Sequence, residues 1–427
     1  HFDAGRYGES LVALKAYIEA RPDGDAADHA LARIALAHCA LGEDDLAVET
    51  VDRLAKQFPE SLVLGPTRLR LGEAALAAEQ WDQADRLFRP VANDQNADRD
   101  QQTRARSGLG WALMGAGKLE PAAETFGLII EQAPEDFLAA EAGYVRGRVL
   151  RDLKRVNEAT EAFAWVALHH ADSEYAPKAD LARARLLVEN GQPEQAVPIF
   201  EALIQSNVLA SVEPIDLLMA ELGWALLDAD RSDEADQAFR RLLEVHPDSP
   251  YAEDARLNLA ESAYQNKDYQ QVISILEPLL TPESEPSPRI LQAALYREGR
   301  ARVELEEWDE AARSFDRLLS DFPEGRYLRE SVFWSAEVAF RRGDPETALS
   351  KFKDLLERTP EGSPAEPWLH TARLREIQAL VQLEQWAEAL KLADTLKTEF
   401  PNLPQMADVD YARGRALQSQ APPRFEE

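Results

Sequence analysis

The sequence predicts an all-α protein, a solenoid of about eleven stacked helical hairpins, and three spaced marks carry that expectation. A small residue recurs at Ala47, Ala84, Ala122, Ala159, Ala196, Ala235, Ala311, Ala348 and Ala389, opened by Ser10 and with Val272 in its one gap, at intervals of 37 to 41 residues. Four residues on stands a large apolar side chain, which is Phe at 88, 126, 163, 200, 239, 315 and 352. Twelve residues on stands Pro at 22, 59, 134, 247, 323, 360 and 401. Self-similarity at such a period is the signature of an array of hairpins that bury their apolar faces only against neighbours.

Each unit has two helices. The first is marked by a small residue twelve before the series: Ala35, Gly72, Gly110, Gly147, Ala184, Gly223, Ala260, Gly299 and Ala336, broken by Ile377 and resumed at Gly414. Small residues on both helices let the backbones approach where the pair crosses. The Phe lies one turn from the small residue on the same face of the second helix and fills the space between units. The Pro cannot continue a helix, so the second helix ends just before it. Turns such as Glu189–Pro193 and Arg341–Pro345 break the chain with Gly and Pro inside the hairpin. Trp81, Tyr269, Trp308 and Trp386 open second helices as packing residues.

The offsets of Gly or Ala, Ala, Phe and Pro resemble the tetratricopeptide repeat family over essentially the whole chain. The resemblance implies a right-handed superhelix with a concave groove lined by first helices, and a protein or peptide partner held there. The unit here is several residues longer than the family's. The extra residues fall in loops such as His246–Tyr251 and Phe322–Tyr327, which look like those of bacterial cell-envelope members of the family. The whole of 1–427 reads as a single array. Residues 1–24 are a partial repeat, and a helix at about 405–418 is a polar cap carrying Asp408, Asp410, Arg413 and Arg415. The proline-rich segment 281–288 is an exposed loop or, alternatively, a hinge.

With 77 acidic against 47 basic residues the net charge is −30, which repels a phosphate backbone and disfavours nucleic acid and anionic membranes. No apolar run is long enough to span a bilayer, so direct membrane insertion is not expected. The lone Cys39 forms no disulfide within the chain and fits an oxidising compartment or the cytoplasm equally. The chain opens on His1 inside a helical pattern, which reads as a processed or trimmed product. A periplasmic or envelope location is therefore expected from the loop resemblance, with the cytoplasm as the alternative.

No catalytic or ligand motif is found, and neither a cofactor, a metal nor catalysis is expected. Gly117-Lys118 is a hairpin turn, since the other residues of a phosphate loop are missing. His169 and His170 are adjacent, so their side chains point about 100° apart on a helix and are poorly placed to share a metal. Cys39 reads as a small packing residue. The groove slots implied by the resemblance give a local basic and aromatic excess: Arg104, Trp111, Tyr144, Arg148, Arg151, Lys178 and Arg185, then Trp224, Tyr264, Tyr296 and Arg300. Arg with aromatic side chains dominates interface hot spots, so Arg104 through Arg185, with Trp224, Tyr296 and Arg300, are the candidate partner-binding residues. The competing reading is a wall of arginines paired with acids on neighbouring helices. Glu73, Glu261, Glu330 and Glu337 mark acidic stretches of the same slots, and no Asn stands where carboxylate-clamping members of the family need one. The expected function is a protein-binding scaffold, with envelope assembly as its setting. The alternatives are a self-associating structural protein and the non-catalytic arm of an enzyme complex.

Overall fold

The computed structural model describes residues 2–209, 213–357, 367–401 and 403–419, and all regular structure among them is helical. The chain divides into two compact units, His1–Asp230 and Arg231–Glu427. Unit 1 opens with a 3-10 turn at Phe2–Ala4 and continues through α1 (Tyr7–Ala20), α2 (Ala27–Ala40), α3 (Asp44–Gln57), α4 (Leu64–Ala77), α5 (Trp81–Ala92), α6 (Arg99–Gly115), α7 (Leu119–Gln132), α8 (Phe137–Asp152), α9 (Val156–His169), α10 (Tyr175–Glu189), α11 (Pro193–Ser206) and α12 (Ile215–Asp228). Each helix packs on the next, and α2, α4, α6, α8 and α10 also touch in succession, so these first helices form one continuous row. Unit 2 holds α13 (Ser232–Val245), α14 (Ala252–Gln265), α15 (Tyr269–Leu280), α16 (Pro288–Glu304), α17 (Trp308–Asp321), α18 (Leu328–Arg341), α19 (Pro345–Glu357), α20 (Pro367–Gln382), α21 (Trp386–Glu399) and α22 (Met406–Ser419). Its row is α14, α16, α18, α20 and α22. Both units are helical-repeat stacks. The proline-rich 281–288 segment lies inside unit 2, as the connection from α15 into α16.

The marks in the sequence account for the packing. The seven marked Phe rings are buried, at 0–1% exposure, as are the Ala residues one turn before them. A Cβ on Gly110 would lie 2.6 Å from Phe126 Cζ, and one on Gly147 would lie 2.5 Å from Phe163 Cε1. The first helix is therefore small where the ring of its own hairpin's second helix presses on it. Pro22, Pro59, Pro134, Pro247, Pro323 and Pro401 each stand two residues beyond the last residue of a second helix. The residue between is pushed out of the helical region, as at Phe58 (φ −133°, ψ 64°) and Phe322 (φ −135°, ψ 67°), because a following proline ring crowds it. Pro360 lies outside the described residues.

The turn inside each hairpin repeats a detail that the sequence marks do not reveal. Five residues before each marked small residue, the backbone enters the left-handed region, at Gly5, Gly42, Gly117, Gly191 and Gly343 but also at Glu79, Lys154, Asp230, Lys267, Glu306 and Glu384. The next residue's N–H then reaches back to the helix, as in Gln80 N to Ala75 O and Arg155 N to Leu150 O, both 2.9 Å. This is the 6→1 bond of a Schellman cap, which satisfies a carbonyl left open at the first helix's end.

Candidate protein-binding site

In unit 1 the row of first helices carries Arg104 and Trp111 on α6, Tyr144, Arg148 and Arg151 on α8, and Lys178 and Arg185 on α10. Trp224 stands on α12, half-buried, and Tyr296 and Arg300 stand on α16 of unit 2. Four of the unit 1 residues, Tyr144, Arg151, Lys178 and Arg185, line one cavity of about 450 Å³ together with Tyr175 and Ala182. Tyr144 and Tyr175 form its aromatic wall, with ring centroids 5.8 Å apart. Trp111 instead packs edge-on to Phe126 at 6.1 Å, as part of the hairpin's wall.

Several arginines of the two rows are claimed by acids, and one offset recurs among the pairs. The residue just after the first helix's small residue faces the residue two before the small residue of the next first helix. Arg185 meets Glu221 this way, Nε to Oε1 at 2.8 Å, and Glu213 adds a second bridge at 3.2 Å. In unit 2, Glu261 meets Arg297, and Glu337 meets Arg375 at 2.7 Å. Arg300 meets Trp334 by the same rule, its guanidinium carbon 4.0 Å from the ring centroid, and also donates to the Tyr264 hydroxyl at 2.8 Å. Tyr296 is stacked on Tyr327 at 4.6 Å. Arg104 reaches Glu73 on α4 at 2.6 Å, from a different slot.

At Arg148 the rule finds Ala182 where the next helix would need a carboxylate. Arg148 is exposed and lies 5.9 Å from the Tyr144 ring, and no described acid pairs with it. Ala182 is also a wall of the cavity, so the break in the ladder and the cavity coincide. Arg151 holds only its exposed neighbour Asp152, at 3.1 Å, and Lys178 holds Glu174 at 2.7 Å while sitting over the Tyr175 ring.

The electrostatics separate fixed charges from available ones. Burial opposes the charge on Arg185, but its hydrogen bonds to Glu213 and Glu221 outweigh that and hold the guanidinium above its ordinary range. Burial pushes the Glu221 carboxyl up against the pull of Arg185, and its Oε2 is buried without a hydrogen-bond partner. Arg185 is thus a structural clasp between α10 and α12. Glu141 is likewise pushed up by burial, offset by the hydrogen bond from Tyr175. Sequence reasoning missed Tyr175, Ala182, Glu213 and Glu221. The signal for Ala182 and Glu221 was present as the complementarity of slots one after and two before the small residues.

The remaining chemistry-bearing residues sit in packing roles. Cys39 is half-buried, and burial together with Asp44 pushes its thiol up. The Trp165 ring stacks on His169 at 4.9 Å and leans on His170 at 5.1 Å. No described helix is long and apolar enough to cross a membrane.

Two family models described as tetratricopeptide repeat match residues 29–61 and 296–363, and one described as outer membrane lipoprotein matches residues 222–284. Among solved structures the chain is similar to the C-terminal part of a tetratricopeptide-repeat protein from Cytophaga hutchinsonii, with 16% identity, a TM-score of 0.47, and coverage of 62% of this chain and 98% of that one. It is also similar to MamA from Desulfovibrio magneticus, with 16% identity, a TM-score of 0.34, and coverage of 42% and 93%. A third is pilF of Pseudomonas aeruginosa, with 18% identity, a TM-score of 0.35, and coverage of 54% and 97%. No curated protein matches the chain. Repeats of this kind generally mediate protein–protein interaction. Tetratricopeptide repeats are thus matched at residues 29–61 and 296–363, and the hairpins of both units carry the same kind of packing marks.

Proposed function

We propose that this protein is a binding scaffold that holds a protein segment against the α6–α8–α10 row of unit 1, with Arg148 and the Tyr144–Tyr175 cavity as its anchor. The observation that carries the reading is Arg148, exposed beside the Tyr144 ring with no described carboxylate partner, where Arg104, Arg151 and Arg185 each hold one. Its guanidinium has no carboxylate to satisfy, stands beside an aromatic wall, and opens onto solvent. A partner segment that brings a carboxylate to Arg148 and an apolar or aromatic side chain to the cavity would use both features. The match of residues 222–284 to an outer membrane lipoprotein model supports envelope assembly as the setting.

The test is capture of a partner from extracts of the source organism, with the full chain as bait. Reversing Arg148 and Arg151 to Glu should abolish capture while leaving the helical signal and melting temperature unchanged, because neither head group bridges two helices. Capture by the wild type should also weaken as salt shortens the reach of exposed charge to about 8 Å. Undiminished capture by the double variant contradicts the reading. Arg185 is unsuitable for such a test, since a carboxylate there would face Glu213 and Glu221.

A further inference from the structure

A second cavity of about 680 Å³ lies in unit 1 among the end of α9, the turn into α10 and the end of α11. Part of its wall is small and apolar, with Ala167, Ala176, Ala202, Leu203 and Val208 among the lining residues. Val208 is 56% exposed, and Leu168, beside Ala167, is 78% exposed. Exposed apolar surface rimmed by polar side chains marks interaction sites on general grounds. Its charge is of one sign. Asp172, Glu174 and Asp180 line it, and no Lys, Arg or His does. Glu174 is already held by Lys178, and Asp180 is half-buried with Arg183 as the neighbouring cation. The C-terminal ends of α9 and α11 meet the groove and the N-terminal end of α10 faces them there, so the helix ends largely offset one another and the carboxylates set its sign.

We infer that this groove docks a basic segment of a partner protein, one that sets an aliphatic side chain on the alanine floor and a Lys or Arg against Asp172 and Asp180. The occupant follows from charge complementarity. An apolar side chain alone would leave Asp172 uncompensated, and an acidic segment would be repelled both by these carboxylates and by a chain of net charge −30. The site is separate from the Arg148 wall and does not depend on it. The two surfaces flank α10, with Tyr175, Lys178 and Arg185 on one side and Ala176, Pro177 and Asp180 on the other.

Fluorescence anisotropy on the full chain tests this, with a panel of labelled peptides carrying Leu and Lys at adjacent or next-but-one positions and the same peptides with Glu for Lys. The Lys peptides should bind, and the Glu peptides at least about tenfold more weakly. Ala202→Trp, which fills the groove from an exposed position, and Asp180→Asn should each weaken the best Lys peptide about tenfold, whereas Arg148→Glu should leave it unchanged. Circular dichroism of each variant reports whether the fold is kept. No binding by any Lys peptide, or binding indifferent to both Ala202→Trp and Asp180→Asn, overturns the inference. The second result would mean that the peptides merely follow the chain's overall charge.

Discussion

At the scale of single residues, the wall of first helices is decided by which side chain stands opposite which. Arg185 and Arg148 occupy the same slot in successive units, yet one is clasped by Glu221 and the other faces Ala182. The type of residue in the slot was legible in the sequence, and its partner was not. The partner depends on a register between repeats that packing sets, so the charged wall could be read as either site or scaffold until that register was known. Buried acids follow a similar logic. Glu376 on α20 is only 8% exposed, and burial pushes its carboxyl above the ordinary value against the pull of Lys353 and Arg373. A carboxyl raised on folding contributes its stability below the unfolded value and loses it as pH rises through the folded one, so at neutral pH Glu376 is a liability. Glu376→Gln should therefore stabilise the protein at neutral pH by at most about 1 kcal/mol after solvent screening, with the gain vanishing near pH 4. Melting curves at the two pH values check this, and an equal gain at both would refute the burial account.

At the scale of elements, helix ends were legible where a proline follows the second helix, although Pro90, Pro198 and Pro278 stand inside α5, α11 and α15, so a proline alone does not fix the stop. Second helices stop two residues before Pro59 and Pro323, in the register expected. The hairpin turns were less legible. Gly117 and Gly191 announce a left-handed residue, but Lys154, Glu79 and Glu384 adopt the same conformation without announcing it. Their turns are imposed by the stacked helices on either side, which override a local penalty of about 1–2 kcal/mol. Lys154→Gly should recover part of that penalty, a net gain of about 0.5–1 kcal/mol after the unfolded chain's added freedom is counted. Urea denaturation measures it. Gly117→Ala should move stability the other way, and a loss on Lys154→Gly would show that the Lys side chain contributes more than the turn costs.

At the scale of the whole molecule, the repeat arithmetic accounts for two units in each of which helices are held by their neighbours, and stability in such arrays is close to a sum of local terms. That arrangement leaves a long row of side chains free to vary without endangering the fold, and the exposed Arg148 with its open cavity is a departure the packing does not require. The acidic excess, with a net charge of −30, opposes an acidic segment at long range, so a carboxylate is held only where local cations such as Arg148 and Arg151 outweigh it. The central claim, that the wall at Arg148 grips the captured partner, is tested most directly by site-specific photo-crosslinking. A photo-reactive residue placed at Arg148 should become covalently joined to the captured partner, whereas the same residue at the exposed Arg86 on α5 should not. Crosslinking from Arg86 with none from Arg148 would contradict the account.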